Sequence, residues 1–208
     1  MILYIGIAIL VVVFVWWLST GAILVAVRMA DKWGKDAHVK MTALAMLVLL
    51  LGLWGYRDSI EGNDVHSTYV AFFSALAIWG WIELSFLSGV VTGPNKSNSP
   101  KDLKERERFV RAWGTVAYHE VLLLVVLVWV IYVGWGQENF VGLCTFSILY
   151  FARISAKINL YFGVPRINLE FIPEKLSHLP SYFRQAEVNQ FFPVAVTVFT
   201  FVVVFWIE

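Results

Sequence analysis

The chain has 208 residues, 59% of them hydrophobic and only 15% charged. A soluble domain carries about 25% charged residues, so the composition excludes an ordinary soluble protein and points to an integral membrane one. The formal net charge is +1, and the basic residues sit in short stretches beside apolar runs, which argues against a nucleic-acid partner.

About 20 apolar residues cross the hydrocarbon core as a helix. Six segments are candidates, near 2–27, 39–55, 67–91, 113–135, 140–164 and 191–207. They predict an all-α, polytopic transmembrane helix bundle forming a single domain over 1–208. The first run starts at Ile2 without a basic leader and is too long for a signal-peptide core, so it is expected to be a retained span. The second and last runs are short. The last stops at Glu208, so it either barely spans or belongs to a longer native chain. Cys144, the only cysteine, lies in an apolar run, which excludes an intrachain disulfide and fits a small buried hydrophobe.

The connections alternate in charge. The first carries Arg28, Lys32, Lys35 and Lys40, whereas the second has Arg57 against Asp58, Glu61 and Asp64. Lys96, Lys101, Lys104, Arg106, Arg108 and Arg111 crowd the third, none stands in the fourth, and the fifth has Arg166, Lys175 and Arg184. The positive-inside rule then predicts cytoplasmic loops at 28–38, 92–112 and 165–190, with both termini periplasmic. Within the third loop, 92–100 (TGPNKSNSP) is expected to be irregular and 101–111 to extend the fourth helix. The fifth loop alternates apolar and polar residues between prolines, the pattern of segments lying at the interface or packed under the bundle.

Glu83, Glu120, Arg153 and Lys157 fall inside the apolar runs, with His119 beside Glu120. One charge at a helix centre costs about 2.5–3.5 kcal/mol on insertion scales, so pairing is expected. Counted from the predicted cytoplasmic ends, all five groups lie roughly 9–16 Å deep at 1.5 Å per residue, with Ser19 and Thr20 at a similar level. Arg153 and Lys157, four residues apart, share a face with Tyr150 and Tyr161, and Ser155 and Asn159 form a second polar stripe. Glu83 and Glu120 pairing with the two bases is the simplest account. Binding or sensing is the alternative, because intramembrane ionisable groups mark functional sites by default. Trp54, Trp113 and Trp135 sit at span ends as anchors. Trp16, Trp17, Trp79 and Trp81 lie deeper and either pack between helices or line a flat ligand such as a tetrapyrrole or carotenoid.

Known chemistries fit poorly. Glu-x-x-His pairs and His-Glu-x-x-His are absent, as are a phosphate loop and a nucleophile elbow. His38, His66 and His178 fall in predicted loops. No catalytic residues and no metal site are assigned, and enzymatic activity is not expected. His119 is the candidate axial ligand to a haem iron or a chlorophyll magnesium, against the plainer role of a hydrogen-bonded histidine in a polar cluster.

Residues 16–24 (WWLSTGAIL), 78–94 (IWGWIELSFLSGVVTGP), 118–120 (YHE), 153–183 (RISAKINLYFGVPRINLEFIPEKLSHLPSYF) and 192–197 (FPVAVT) carry a resemblance that covers nearly the whole chain in order. They are similar to the photosynthetic complex assembly proteins (PuhE) of phototrophic bacteria. The resemblance implies a multi-pass protein of the bacterial inner, intracytoplasmic membrane, in contact with lipid and with reaction-centre or light-harvesting subunits. It implies an assembly or accessory role and carries over no catalytic residue. Members of that family carry His where this chain has Ile82, which leaves Glu83 and His119 as the candidates for any ligand there. A second function that the resemblance allows is to hold bacteriochlorophyll or its precursor, or to anchor a pigment-synthesis enzyme such as the aerobic cyclase. A proton or small-solute carrier is a third, resting on the ionisable groups alone.

Overall fold

A computed structural model describes the backbone of residues 2–34 and 36–207 and the side chains of 6–34 and 36–202. The long helices are α1 (Ile2–Trp33), α4 (Val65–Leu87), α5 (Glu105–Gly134) and α6 (Val141–Phe162). Shorter ones are α2 (Ala37–Leu44), α3 (Met46–Ser59) and α7 (Phe191–Ile207), and no strand is formed among the described residues. Proline cannot supply a helix amide. Five of the chain's six prolines stand in connections, and Pro193 lies in the first turn of α7, where no internal bond is lost.

Five helical stretches are long and apolar enough to cross a membrane, and α7 is a sixth, shorter apolar helix. Several of the expected bounds change: the third span ends at Leu87, and the fourth helix begins at Glu105. Residues 28–33, expected in a loop, continue α1, so only 34–36 separate it from α2; Lys35 lies outside the described residues, as does Glu208. The second span is not short. α2 and α3 meet at Ala45 with nearly helical backbone and together give 23 spanning residues, 37–59. Their polar ends are accommodated by neighbours: His38, placed in α2 rather than a loop, is buried with its ring nitrogen 2.9 Å from Asp31 Oδ1 on α1. His66 likewise belongs to the first turn of α4.

α4 is the central helix and contacts α1, α2, α3, α5 and α6. It starts at Asp64, whose carboxylate accepts the Ser67 N–H at 2.7 Å, a bond that holds the Asp64 pKa below the usual carboxylate range. It ends in a Schellman motif: Gly89, at φ +70°, donates to Phe86 and Val90 donates to Ser85. The main core gathers Ile78, Trp79 and Ile82 of α4 with Leu123, Leu127 and Val130 of α5, Tyr56 of α3 and Phe146 of α6. Tyr56 donates its hydroxyl to the Val130 carbonyl at 2.9 Å, which satisfies the one polar atom on that ring. α1 is peripheral, with Val27 and Ala30 as its fully covered side chains among the described residues.

The stretch after α6 folds into three 3-10 turns, Leu169–Phe171, Glu174–Leu176 and Leu179–Tyr182. Leu176 and Leu179 pack beneath Phe86, so the segment closes one end of the bundle. It is stitched to residues 92–100: the Tyr182 hydroxyl accepts from Asn95 Nδ2 and donates to the Ser97 carbonyl, and the Ser181 hydroxyl accepts from the Ser99 N–H. Residues 92–95 in turn lie along α5, where the Asn95 N–H donates to the Gly114 carbonyl and the His119 N–H to the Thr92 carbonyl. At Gly93 a Cβ would stand 2.8 Å from Val116 N and closer still to the Gly114 oxygen, so only glycine allows this approach.

Gly93→Ala is therefore expected to lower stability by about 1–3 kcal/mol, the usual penalty for overpacking, measured as unfolding of the detergent-solubilised protein by circular dichroism. A pH dependence follows from His178, which is buried in the 3-10 segment. Burial and then the Lys96 charge lower its pKa, so the folded state holds that proton less tightly than the unfolded one. An unfolded imidazole titrates near ~6.5, so below that pH the unfolded chain binds more protons. The contribution of His178 should be complete above ~6.5 and fall as the pH drops. Thermal unfolding followed from about pH 7.5 to about pH 5.5 should show the loss, and His178→Gln should flatten the curve.

Candidate functional site

Three helices bring their ionisable groups together at one level. α4 supplies Glu83, α5 supplies His119 and Glu120, and α6 supplies Arg153 and Lys157. Arg153 Nε lies 2.6 Å from Glu83 Oε1, and Lys157 Nζ is paired with Glu120 Oε1. The first is a charge contact without an aligned N–H, because neither atom has a partner in hydrogen-bond geometry. Successive helix residues point about 100° apart, which is why His119 turns toward α4 and Glu120 toward α6. His119 is fully buried, with Nε2 3.8 Å from Glu83 Oε1 and both ring nitrogens without a hydrogen bond.

Phe86 completes the group and is the member that the sequence does not flag as polar chemistry. It is one helical turn from Glu83, with its ring centroid 4.4 Å from that of His119. Arg153 and Lys157 each stand 5.4 Å from the same ring. The quadrupole of that face adds a cation–π attraction to the two ion pairs. Its spacing of three from Glu83 is the available signal, since i and i+3 share a helix face.

Other expected members lie elsewhere. Asn159 is not in the ion-paired group: its Nδ2 donates to the Ser155 carbonyl at 2.9 Å, and its own carbonyl accepts from Asn189 Nδ2 near the end of α6. Trp16 and Trp17 do not line the cluster. They project outward from peripheral α1, Trp17 with 72% of its surface exposed, because α1 has only one packed edge. Ser19 bonds back to the Trp16 carbonyl and Thr20 is exposed, so α1 contributes nothing to the site. Trp79 sits in the core edge-on to Phe146, and Trp81 donates its indole N–H to the Thr42 carbonyl of α2. All four tryptophans thus serve packing or an outer face rather than a ligand wall around the charges. His119 has no exposed surface, and neither ring nitrogen has a hydrogen-bond partner. Among the described residues no group of three or more His, Cys, Asp or Glu side chains is placed to hold a metal ion.

Beside the ion pairs lies a cavity of about 970 Å³. Its walls include two helix stripes: Glu105, Phe109, Trp113, Val116 and Glu120 on α5, and Arg153, Lys157 and Tyr161 on α6. The 3-10 segment closes it with Phe171, Leu176 and Phe183. At the outer end Glu105 is already occupied, by Arg108 at 2.8 Å, Arg184 at 3.1 Å and the Tyr161 hydroxyl at 2.8 Å. The size is at the upper end of the roughly 300–1,000 Å³ of small-molecule sites.

The family described as "Protein of unknown function (DUF3623)" matches residues 2–208. The chain belongs to this family. A protein of Rhodobacter capsulatus, described as "Uncharacterized 30.4 kDa protein in puhA 5'region", is 46% identical over 199 residues, which cover 96% of this chain and 73% of the relative. No solved structure matches the chain.

The pairs predict a specific pattern of coupling. Lys157→Met leaves Glu120 buried without its partner and should cost about 3 kcal/mol, the low end for a buried pair because the lysine side chain is 25% exposed. The double variant Glu120→Gln/Lys157→Met should recover most of that loss. Unfolding titrations of the wild type, the two single variants and the double variant measure the coupling.

Proposed function

We propose that this protein is an integral membrane assembly factor or accessory subunit of the bacterial photosynthetic apparatus. The observation that carries the proposal is the relative from the puhA 5′ region, which places a family member in a photosynthesis-gene context. The family match spans residues 2–208, and the relative is similar over 96% of the chain.

The helices support a role through contacts rather than catalysis. The four intramembrane charges pair with one another, which favours a structural use of them. Along most of its length α1 presents an apolar surface, including Trp16, Trp17 and Trp33, that no other helix covers. Such a face meets lipid or a transmembrane partner, and reaction-centre or light-harvesting subunits are the partners proposed. Placed by the positive-inside rule, the basic connections and the 3-10 segment face the cytoplasm of the inner membrane and the termini face the periplasm.

Deleting the gene in a phototrophic host should lower the near-infrared absorption of assembled reaction-centre and antenna complexes, with restoration by the wild-type gene. Complex levels that stay the same under phototrophic and semi-aerobic growth would remove the basis of the proposal.

A further inference from the structure

The cavity between α5 and α6 is built asymmetrically, and its two ends ask for different chemistry. At the inner end the charges balance, because Arg153 is paired with Glu83 and Lys157 with Glu120. The donors do not balance. A guanidinium carries five N–H groups and an ammonium three. Arg153 faces its acid through Nε alone, and neither Nη makes a bond, while Lys157 makes a single one, to Glu120. Both side chains line the cavity and are about one-quarter exposed to it, at 26% and 25%. Unspent donors at membrane depth are costly unless an acceptor reaches them. A neutral oxygen satisfies them without upsetting the charge balance.

The outer end carries surplus positive charge. Arg106 and Arg166 both line the cavity, are exposed, and make no ion pair or hydrogen bond. Glu105, the acid nearest them on the lining, is taken up by Arg108, Arg184 and Tyr161. Between the two ends the walls are almost wholly apolar, and the stripe from Glu105 to Glu120 is roughly 22 Å long at 1.5 Å per residue.

We infer that this cavity binds an elongated amphiphile with an acidic group held by Arg106 and Arg166, an apolar body along α5 and α6, and a neutral oxygen acceptor against Arg153 and Lys157. The inference uses only the cavity and stands apart from any role in photosynthesis.

The test uses the full-length protein purified in detergent and titrated with three probes of one chain length: ω-hydroxyhexadecanoic acid, hexadecanoic acid and hexadecanol. Saturable binding is expected in that order of affinity. Arg106→Gln/Arg166→Gln should weaken both acids by about tenfold, the size of one lost charge-assisted hydrogen bond, and leave hexadecanol unchanged. Because both arginines are exposed and unpaired, this variant should fold normally by circular dichroism. Ala156→Trp, which fills the cavity from α6, should abolish binding of all three. Repeating the titration in nanodiscs of phosphatidylglycerol and of phosphatidylcholine identifies the source: competition from the anionic bilayer alone points to a lipid, and equal binding in both to a free acid. Equal affinity for the acid and the alcohol, or native affinity in either variant, would overturn the inference.

Discussion

Four charges at membrane depth must find one another, and this requirement sets the arrangement of α4, α5 and α6. Left unpaired, each would cost several kcal/mol, while the whole fold is worth only about 5–15 kcal/mol. Glu83 and Glu120 therefore hold Arg153 and Lys157 opposite them. Sliding α6 by a turn, about 5.4 Å, would break both contacts, and sliding α4 or α5 would break one. Lipid offers the helices no hydrophobic reward for associating, so such polar contacts and close packing must supply it. The ion pairs fix the depth of each helix, and the apolar layer of Ile78, Leu123 and Phe146 fills the space beyond them.

Much of this layer is legible in the sequence, because intramembrane charges are rare and their spacing reports their face. Arg153 and Lys157 four residues apart, opposite two acids at the same level, are enough to predict that acids and bases pair, though not which acid meets which base. The outward turn of Trp16 and Trp17 is not legible in the same way. An apolar helix with no polar stripe reads the same from every side, and only packing shows which side is covered. The extension of α1 to Trp33 and of α2 back to Ala37 was hidden for another reason: charged residues end an apolar window, yet here Asp31 and His38 meet each other across the helices and allow both to continue. Phe86 was harder to find, because its only mark in the sequence is its spacing of three from Glu83, and nothing there reports the cations beside its ring.

The cavity is a tertiary property and lay further still from the sequence. Its two stripes have the regular spacing of surfaces made to interdigitate, with Phe109, Trp113 and Val116 on α5 opposite Lys157 and Tyr161 on α6. The 3-10 segment inserts Leu176 and Leu179 beneath Phe86 and carries Arg184 across to Glu105, so it adds a second bridge between the ends of α5 and α6 beside their direct contact through Tyr161 and Glu105. The prolines at 165, 173 and 180 keep this stretch out of a regular helix, which lets it follow the rim of the bundle.

The splice between residues 92–95 and α5 has a mechanical meaning. The Thr92 carbonyl holds the amide of His119, and Gly93 rests on the backbone only a turn away. The surface connection and the charged layer inside the membrane therefore share one rigid lever, with no slack between them. A force applied to the 92–100 connection or to Tyr182, to which it is bonded, is delivered at the depth of Glu120. The outer rim and the buried charges are joined through backbone hydrogen bonds.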